Sequence, residues 1–329
     1  MPGPRKKAGY RTMTGAEVPA VARPLSSYRN ATPFPWMGGK ARMVKTITPF
    51  FPPHTTYVEP FGGAANILLA REPAKVEVYN DRSGLLVNFF RVLQNPCSRR
   101  SLLDRLEWTP YARMEYARAL ECLDDVDPVQ QAWGFFVAQC QGISGTGSFG
   151  DRAATNWGYS MARDQQTSFR GHVEKLPAIA ERLRQVSIEQ DDGVKVIRRW
   201  DAADTLFYVD PPYVESTRTA KNGRSGYHTE IDDGDQACLV DTLLNTRGMV
   251  LLSGYRTPLY QPLEDAGWER REYAMDLAAA GRVKTFKAMS AAGKAKRQRI
   301  ECLWLSPRVV EWNKRCNQLS LPFAGAKTC

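Results

Sequence analysis

Four consecutive residues, Asp210-Pro211-Pro212-Tyr213, combine groups that can hold a planar amine. The Asp210 carboxylate accepts hydrogen bonds, and Pro211 offers a carbonyl with no N–H beside it to compete. Together they can take both hydrogens of an exocyclic amine. Tyr213 adds a flat face on which a base turned out of its stack can rest. An acidic strand end followed by a Pro-Pro turn would show the same residues, so the rest of the chain must decide between the two readings.

Two other sets of residues bear on the choice. Trp36-Met37-Gly38-Gly39-Lys40 places a cation after two glycines that let backbone come close to a ligand. It is not a phosphate-binding P-loop, because Lys40 precedes Ala41 and the earlier glycine position holds Phe34. Lys40 can instead reach a carboxylate, and Trp36 can pack on a flat or apolar group. Further on, Glu59-Pro60-Phe61-Gly62-Gly63 joins an apolar β-prone run (56–60) to the helical Ile67-Leu68-Leu69-Ala70. Strand, glycine turn and helix open a Rossmann-like unit, but without the full dinucleotide fingerprint. The next apolar run, 76–79, ends at Asn80-Asp81. An acid at the end of the second strand suits the two hydroxyls of a ribose, which points to a nucleoside-containing cofactor.

The elements that must position these groups follow from the patterning. Thr205 to Val209 is apolar and β-prone, as a buried strand should be, and the two prolines stop it. The tetrad then stands at the carboxyl edge of a core strand, where open α/β sheets bind ligands. Ser83 to Gln94 is an amphipathic helix with Leu85, Leu86, Phe89, Phe90 and Leu93 on one stripe, and Pro96-Cys97 ends it. Helices over 102–123, 129–141 and 172–184 interrupt the α/β alternation between strands two and three and read as an insertion. Within it a polar loop carries Arg152, Asn156, Trp157, Tyr159 and Arg163. Asp191-Asp192 opens the helix before the tetrad strand, where an acid often serves as N-cap. After the tetrad, 235–245, 249–253 and 257–266 continue the alternation. Two closing strands, 268–275 and 299–305, flank a segment, 281–300, with seven basic residues and no acid. Such a segment suits phosphates. Residues 214–228, with Arg218, Lys221 and Arg224, form a polar loop beside the tetrad.

The composition is that of a soluble globular chain: 329 residues, 43% hydrophobic, with a net charge of +10 that favours a polyanionic partner. Seven scattered cysteines and three distant histidines have no zinc spacing and no disulfide framework. No stretch has membrane-spanning length, and no secretory leader is visible. A cytoplasmic location is expected. A nucleobase deaminase is excluded because its His-x-Glu and Pro-Cys-x-x-Cys zinc signature is missing.

Taken in order, Trp36-x-Gly38-Gly39-Lys40, Glu59-Pro60-Phe61-x-Gly63, Asn80-Asp81, Asp210-Pro211-Pro212-Tyr213 and Tyr227-His228-Thr229 resemble the Dam-type DNA adenine methyltransferases. The resemblance covers roughly residues 33–305. It implies a Rossmann-like α/β core, with a mostly parallel sheet, a closing antiparallel hairpin and an inserted helical target-recognition region. The implied organisation is a disordered basic arm (1–30), a catalytic core (31–97 and 186–310), the insertion (98–185) and a C-terminal tail (311–329). S-adenosyl-L-methionine is the implied methyl donor, with no metal, and the exocyclic amine of a flipped adenine in double-stranded DNA is the acceptor. By motif, Trp36, Lys40, Glu59, Asp81 and Asp210 bind the cofactor, Phe61 and Gly63 line its cradle, and Asp192 lies near its adenine. Asp210, Pro211, Pro212 and Tyr213 hold and stack the target base. Arg152, Asn156, Arg218, Lys221, Arg224, Lys294, Lys296 and Arg297 are the expected DNA contacts. A monomer or weak dimer is expected, with a cognate endonuclease as partner where the enzyme is half of a restriction–modification pair. Ala65 stands where the family usually has a second glycine. The insertion loop does not match the pattern of members that read GATC. The alternatives are a methyltransferase acting on RNA or protein, and a catalytically silent DNA-binding protein. Intact Lys40, Asp81 and the tetrad speak against the second.

Overall fold

A computed structural model of the chain describes residues 31–143, 156–160, 164–212, 233–276 and 298–319. Seven strands, β1 (Thr56–Glu59), β2 (Val76–Asn80), β3 (Val186–Glu189), β4 (Thr205–Val209), β5 (Met249–Gly254), β6 (Glu269–Asp276) and β7 (Gln298–Leu305), form one sheet. Their order is β3-β2-β1-β4-β5-β7-β6. The first five run parallel, and β7 pairs antiparallel with both β5 and β6. The α/β fold and its closing hairpin therefore match the expectation. Strand order reverses between β1 and β4, so the crevice outside their carboxyl ends is the natural ligand site.

Helices α1 (Val44–Ile47) and α2 (Asn66–Ala70) flank β1, and α3 (Gly84–Gln94) follows β2. Then come α4 (Pro96–Glu107), α5 (Arg113–Glu121), α6 (Pro128–Gln141), α7 (Gln165–Val173) and α8 (Leu176–Leu183) before β3. The rest are α9 (Gly193–Trp200), α10 (Asp233–Leu244), α11 (Gln261–Asp265) and, after β7, α12 (Pro307–Leu319).

Side-chain alternation along the strands feeds two cores. Val58, Val78, Phe207 and Val209 face Val196 and Ile197 of α9 and Leu239 and Leu243 of α10. Tyr57, Tyr79, Leu206 and Tyr208 face the other way, into a cluster shared with α2, α3 and the inserted helices. The β4 and β5 strands are buried along their whole length, as parallel strands covered on both faces must be. The inserted α6 packs on α3 through Phe89, whose ring stacks on Phe136 at 5.7 Å and 10°. Phe34 joins the same cluster, with centroids 5.3 Å from Phe89 and 5.2 Å from Phe135. Close approach of α5 to α6 depends on Gly134, where a Cβ would lie 2.6 Å from the Ala119 carbonyl oxygen. On the sheet side, Arg182 of α8 donates to the buried Glu77 of β2 at 2.8 Å. The insertion thus shares its core with the sheet.

Four local expectations need correction. Pro96-Cys97 does not simply end a helix; Pro96 opens α4. Proline fits the first turn because that N–H has no intrahelical partner, and Asn95 caps the helix by accepting from the Cys97 and Ser98 amides. The helix expected over 102–123 is two, α4 and α5, separated at Trp108–Ala112. Pro110 there lacks the N–H that continuation would need. The helix expected over 172–184 is likewise two, because α7 begins at Gln165, capped by Asp164, and α8 starts anew at Leu176. Finally, residues 311–319 are no tail. They complete α12, which buries Val309 and Val310. The basic arm, residues 1–30, lies outside the described residues.

Candidate functional site

The turn after β1 is the floor of the site. Gly63 has φ +49°, a left-handed conformation that glycine adopts without steric cost. A Cβ there would also stand 2.9 Å from Trp36 Nε1. Ala65 follows at φ +53°, which costs an alanine about 1–2 kcal/mol. The strain lies where a second glycine was expected, and the alanine keeps the glycine's backbone conformation. Asn80, wholly buried at the end of β2, braces the turn. Its Nδ2 donates to the carbonyls of Pro60 (2.8 Å) and Asp191 (3.0 Å), while its Oδ1 accepts from the Asp191 amide.

Asp81 comes next in the chain. One carboxylate oxygen accepts from the Gly63 amide at 3.0 Å and the other from the Ser83 amide at 2.8 Å. Burial raises its pKa, and these two amides pull it back. Both oxygens keep a further lone pair for a ligand hydroxyl.

Lys40 and Asp210 meet across the sheet. The Lys40 ammonium lies 2.8 Å from each Asp210 oxygen, 3.0 Å from the Gly38 carbonyl and 3.3 Å from Glu301 on β7. Burial alone would lower the lysine pKa, but Asp210, Tyr208 and Glu301 outweigh it and hold the cation. Burial raises Asp210 to about 6, with Lys40 drawing it down and Glu301 pushing it up. Glu59, which ends β1, is raised to about 8, chiefly by burial, and accepts from the Tyr57 hydroxyl at 2.7 Å.

The Pro-Pro turn is fixed from behind. Buried Gln236 on α10 donates to the Pro212 carbonyl at 3.0 Å, and its own oxygen accepts from the Tyr260 hydroxyl at 3.0 Å. Pro211 itself lines the cavity.

Of the residues singled out in the sequence, Trp36, Lys40, Glu59, Phe61, Gly63, Asp81, Asp210, Pro211 and Pro212 line one cavity of about 300 Å³. Asp192 does not. Its oxygen caps α9 by accepting from the Val194 and Lys195 amides, although Phe61 packs on the adjoining Gly193. Asn156 is half-buried beside Trp157, whose backbone bridges Gly142. Tyr213, Arg152, Arg218, Lys221, Arg224, Lys294, Lys296 and Arg297 lie outside the described residues, as do Tyr227, His228 and Thr229. Glu301 and Gln236 were missed. The first had a signal, an acid inside the apolar run of a closing strand; the second had none. Among the described residues no three His, Cys, Asp or Glu side chains gather as metal ligands would.

The arrangement gathers the Asp81 and Asp210 carboxylates and the Pro211-Pro212 turn around one cleft of small-molecule size. A protein-family model described as D12 class N6 adenine-specific DNA methyltransferase matches residues 36–265, from Trp36 to the end of α11. No curated protein matches the chain in sequence.

Proposed function

The chain belongs to the D12 class N6 adenine-specific DNA methyltransferases, and from that premise we propose that it draws its methyl group from S-adenosylmethionine bound in the cavity at the β1–β4 switch point. The reaction itself is site-specific methylation of adenine in DNA, and neither the RNA or protein methyltransferase nor the silent DNA-binding protein is favoured. The observation that carries the cofactor reading is the meeting of Lys40, Asp81 and Asp210 around one cavity, from three distant parts of the chain. The cavity fits the group chemically. Gly63 leaves room where a side chain would meet Trp36, Asp81 retains acceptor capacity for two hydroxyls, and the walls are largely apolar. In this reading Trp36, Lys40, Glu59, Phe61, Gly63 and Asp81 hold the cofactor. Asp192 shapes the adjoining wall by capping α9 against Phe61. When bound, the cofactor supplies an electrophilic methyl on a sulfonium.

The rest of the chemistry belongs to the protein. The amino nitrogen of adenine is a poor nucleophile because its lone pair is delocalised into the ring. Asp210 and the Pro211 carbonyl accept its two hydrogens and draw it towards a tetrahedral shape. The lone pair then points at the methyl. Asp210 also stabilises the positive charge that develops on the nitrogen, so catalysis is mostly positioning and electrostatics. Pro212 holds the turn in shape through Gln236. Tyr213 stacks on the extruded base, which offsets part of the few kcal/mol lost on leaving the duplex.

The DNA contacts and domain limits belong to the same proposal. Arg218, Lys221 and Arg224 follow Pro212 at the cavity, and Lys294, Lys296 and Arg297 precede β7, which holds Glu301 beside Lys40. Arg152 and Asn156 belong to a segment whose ends the Gly142–Trp157 bridge holds together. Residues 98–185 would read the target, 31–97 and 186–310 would carry the reaction, and the basic arm 1–30 would add charge. The proposal includes a monomer or weak dimer, a cytoplasmic setting and, in a restriction–modification pair, a cognate endonuclease. Among the described residues no helix is long and apolar enough to cross a membrane.

Transfer of radiolabelled methyl groups to duplex DNA tests the central reading. Asp210→Ala should fold, bind DNA and lose transfer. More than a tenth of wild-type transfer would remove Asp210 from the reaction.

A further inference from the structure

Glu301 sits on β7, followed by the buried apolar run Cys302-Leu303-Trp304-Leu305, and is only 6% exposed. A carboxylate there is costly unless it is paired. Its Oε1 lies 3.3 Å from Lys40 Nζ, yet Glu301 does not line the cavity, whereas Lys40 and Asp210 do. The Gly38 carbonyl, Asp210 and Glu301 give the three N–H bonds of the ammonium an acceptor each. With Asp210 as the sole acid against it, the Lys40 charge would be cancelled by Asp210 alone. A second carboxylate divides the cation between two anions, so that among the described residues two acids face one cation.

We propose that Glu301 is a positioning residue: as a second anion on the Lys40 ammonium it keeps that cation from neutralising Asp210 outright, so that the Asp210 carboxylate still attracts the amine hydrogens of the target adenine. The inference rests on the reading that Asp210 and Lys40 act in methyl transfer. It adds a residue from the closing antiparallel hairpin, beyond the matched segment 36–265, to the machinery of the parallel sheet.

Among the described residues, the other titratable groups beside this cluster are these. Tyr208 of β4 and Tyr260 have phenols raised by burial, as does Tyr273 of β6, which pairs with Glu301 in register. The Cys302 thiol is raised to about 11, mainly by burial. These stay neutral through the neutral range. Glu59, raised to about 8, titrates above Asp210. An acid limb in methyl transfer near pH 6 therefore reports Asp210, and the charge of Glu301 holds that limb up.

Single-turnover methyl transfer on duplex DNA across the neutral range, with saturating cofactor, decides the matter. Glu301→Gln keeps the size and an acceptor oxygen but removes the charge. Its acid limb should move to lower pH, and its plateau rate should fall about tenfold, the size of a lost charge-assisted interaction, with DNA affinity unchanged. Glu301→Asp keeps the charge, so its limb should stay at the wild-type pH whatever the plateau. A Glu301→Gln limb at the wild-type position, or a Glu301→Asp limb displaced like that of Glu301→Gln, overturns the inference. Asp210→Ala is run beside them. If it still transfers methyl groups, the underlying reading fails; if it is inactive while Glu301→Gln is unaltered, only the role of Glu301 fails.

Discussion

Lys40 Nζ stands 2.8 Å from both carboxylate oxygens of Asp210, 170 positions further along the chain. Burial raises Asp210 to about 6, and Lys40 is the group that restrains the rise. Lys40→Met should therefore push the Asp210 pKa higher still. The ionised fraction at neutral pH falls, and the acid limb of methyl transfer moves to higher pH, opposite to the shift expected for Glu301→Gln. Breaking a buried pair by removing one partner costs about 3–5 kcal/mol, so the variant should also melt earlier. A pH–rate profile with the limb unmoved would separate Lys40 from Asp210.

Asp81 joins the glycine turn to the cavity wall. Asp81→Ala should weaken S-adenosylmethionine binding tenfold or more, since a charge-assisted hydrogen bond contributes about 1.5–3 kcal/mol. It also strips the Gly63 and Ser83 amides of their acceptor, so some stability should go with it. Calorimetric titration checks the first effect and thermal melting the second. An unchanged dissociation constant would leave Asp81 a purely structural brace.

Glu59 gives a stability prediction with a definite sign. Its folded pKa is raised from 4.5 to about 8, largely by burial, so the native state holds the proton longer than the unfolded chain. The stability it contributes is complete below 4.5 and is lost as pH rises through about 8. Glu59→Gln, which cannot ionise, should flatten that decline. Urea unfolding at several pH values measures it, and an equal slope in both proteins would show that Glu59 does not ionise against its burial.

If Lys294, Lys296 and Arg297 each meet one phosphate, replacing all three by Ala should flatten the plot of log affinity against log salt by roughly 2.7, at about 0.9 per phosphate. The preferred DNA sequence should not change, because phosphate contacts carry no base information. Arg152→Ala and Asn156→Ala should do the reverse. Isotherms on matched and mismatched duplexes at several salt concentrations distinguish them, and an unaltered slope in the triple variant would take these residues off the DNA backbone.

Much of this was legible from residue order. A strand of Thr-Leu-Phe-Tyr-Val stopped by Pro211-Pro212 can only be a buried strand with its carboxyl edge at Asp210. Alternation of strands and helices then forces the sheet and its switch point. The junctions were harder to read. Pro96 ends one helix and begins the next, and nothing in a single Asn-Pro pair tells which role dominates until Asn95 is seen capping α4. Gln236 was invisible because its work, holding the Pro212 carbonyl, depends on α10 crossing behind the turn. Glu301 left a trace as an acid in an apolar strand, but its partner Lys40 is supplied only by tertiary structure.

The place of β7 has a consequence for synthesis on the ribosome. Among the described strands it comes last in the chain, yet it lies inside the sheet, between β5 and β6. Until it emerges, β5 presents an unpaired edge of wholly buried residues, the kind of edge that invites wrong pairing. In the same interval Lys40 has Asp210 but not Glu301. A nascent chain ending after α11 should accordingly need protection and bind cofactor poorly, a difference that pull-down of stalled chains on immobilised cofactor would expose.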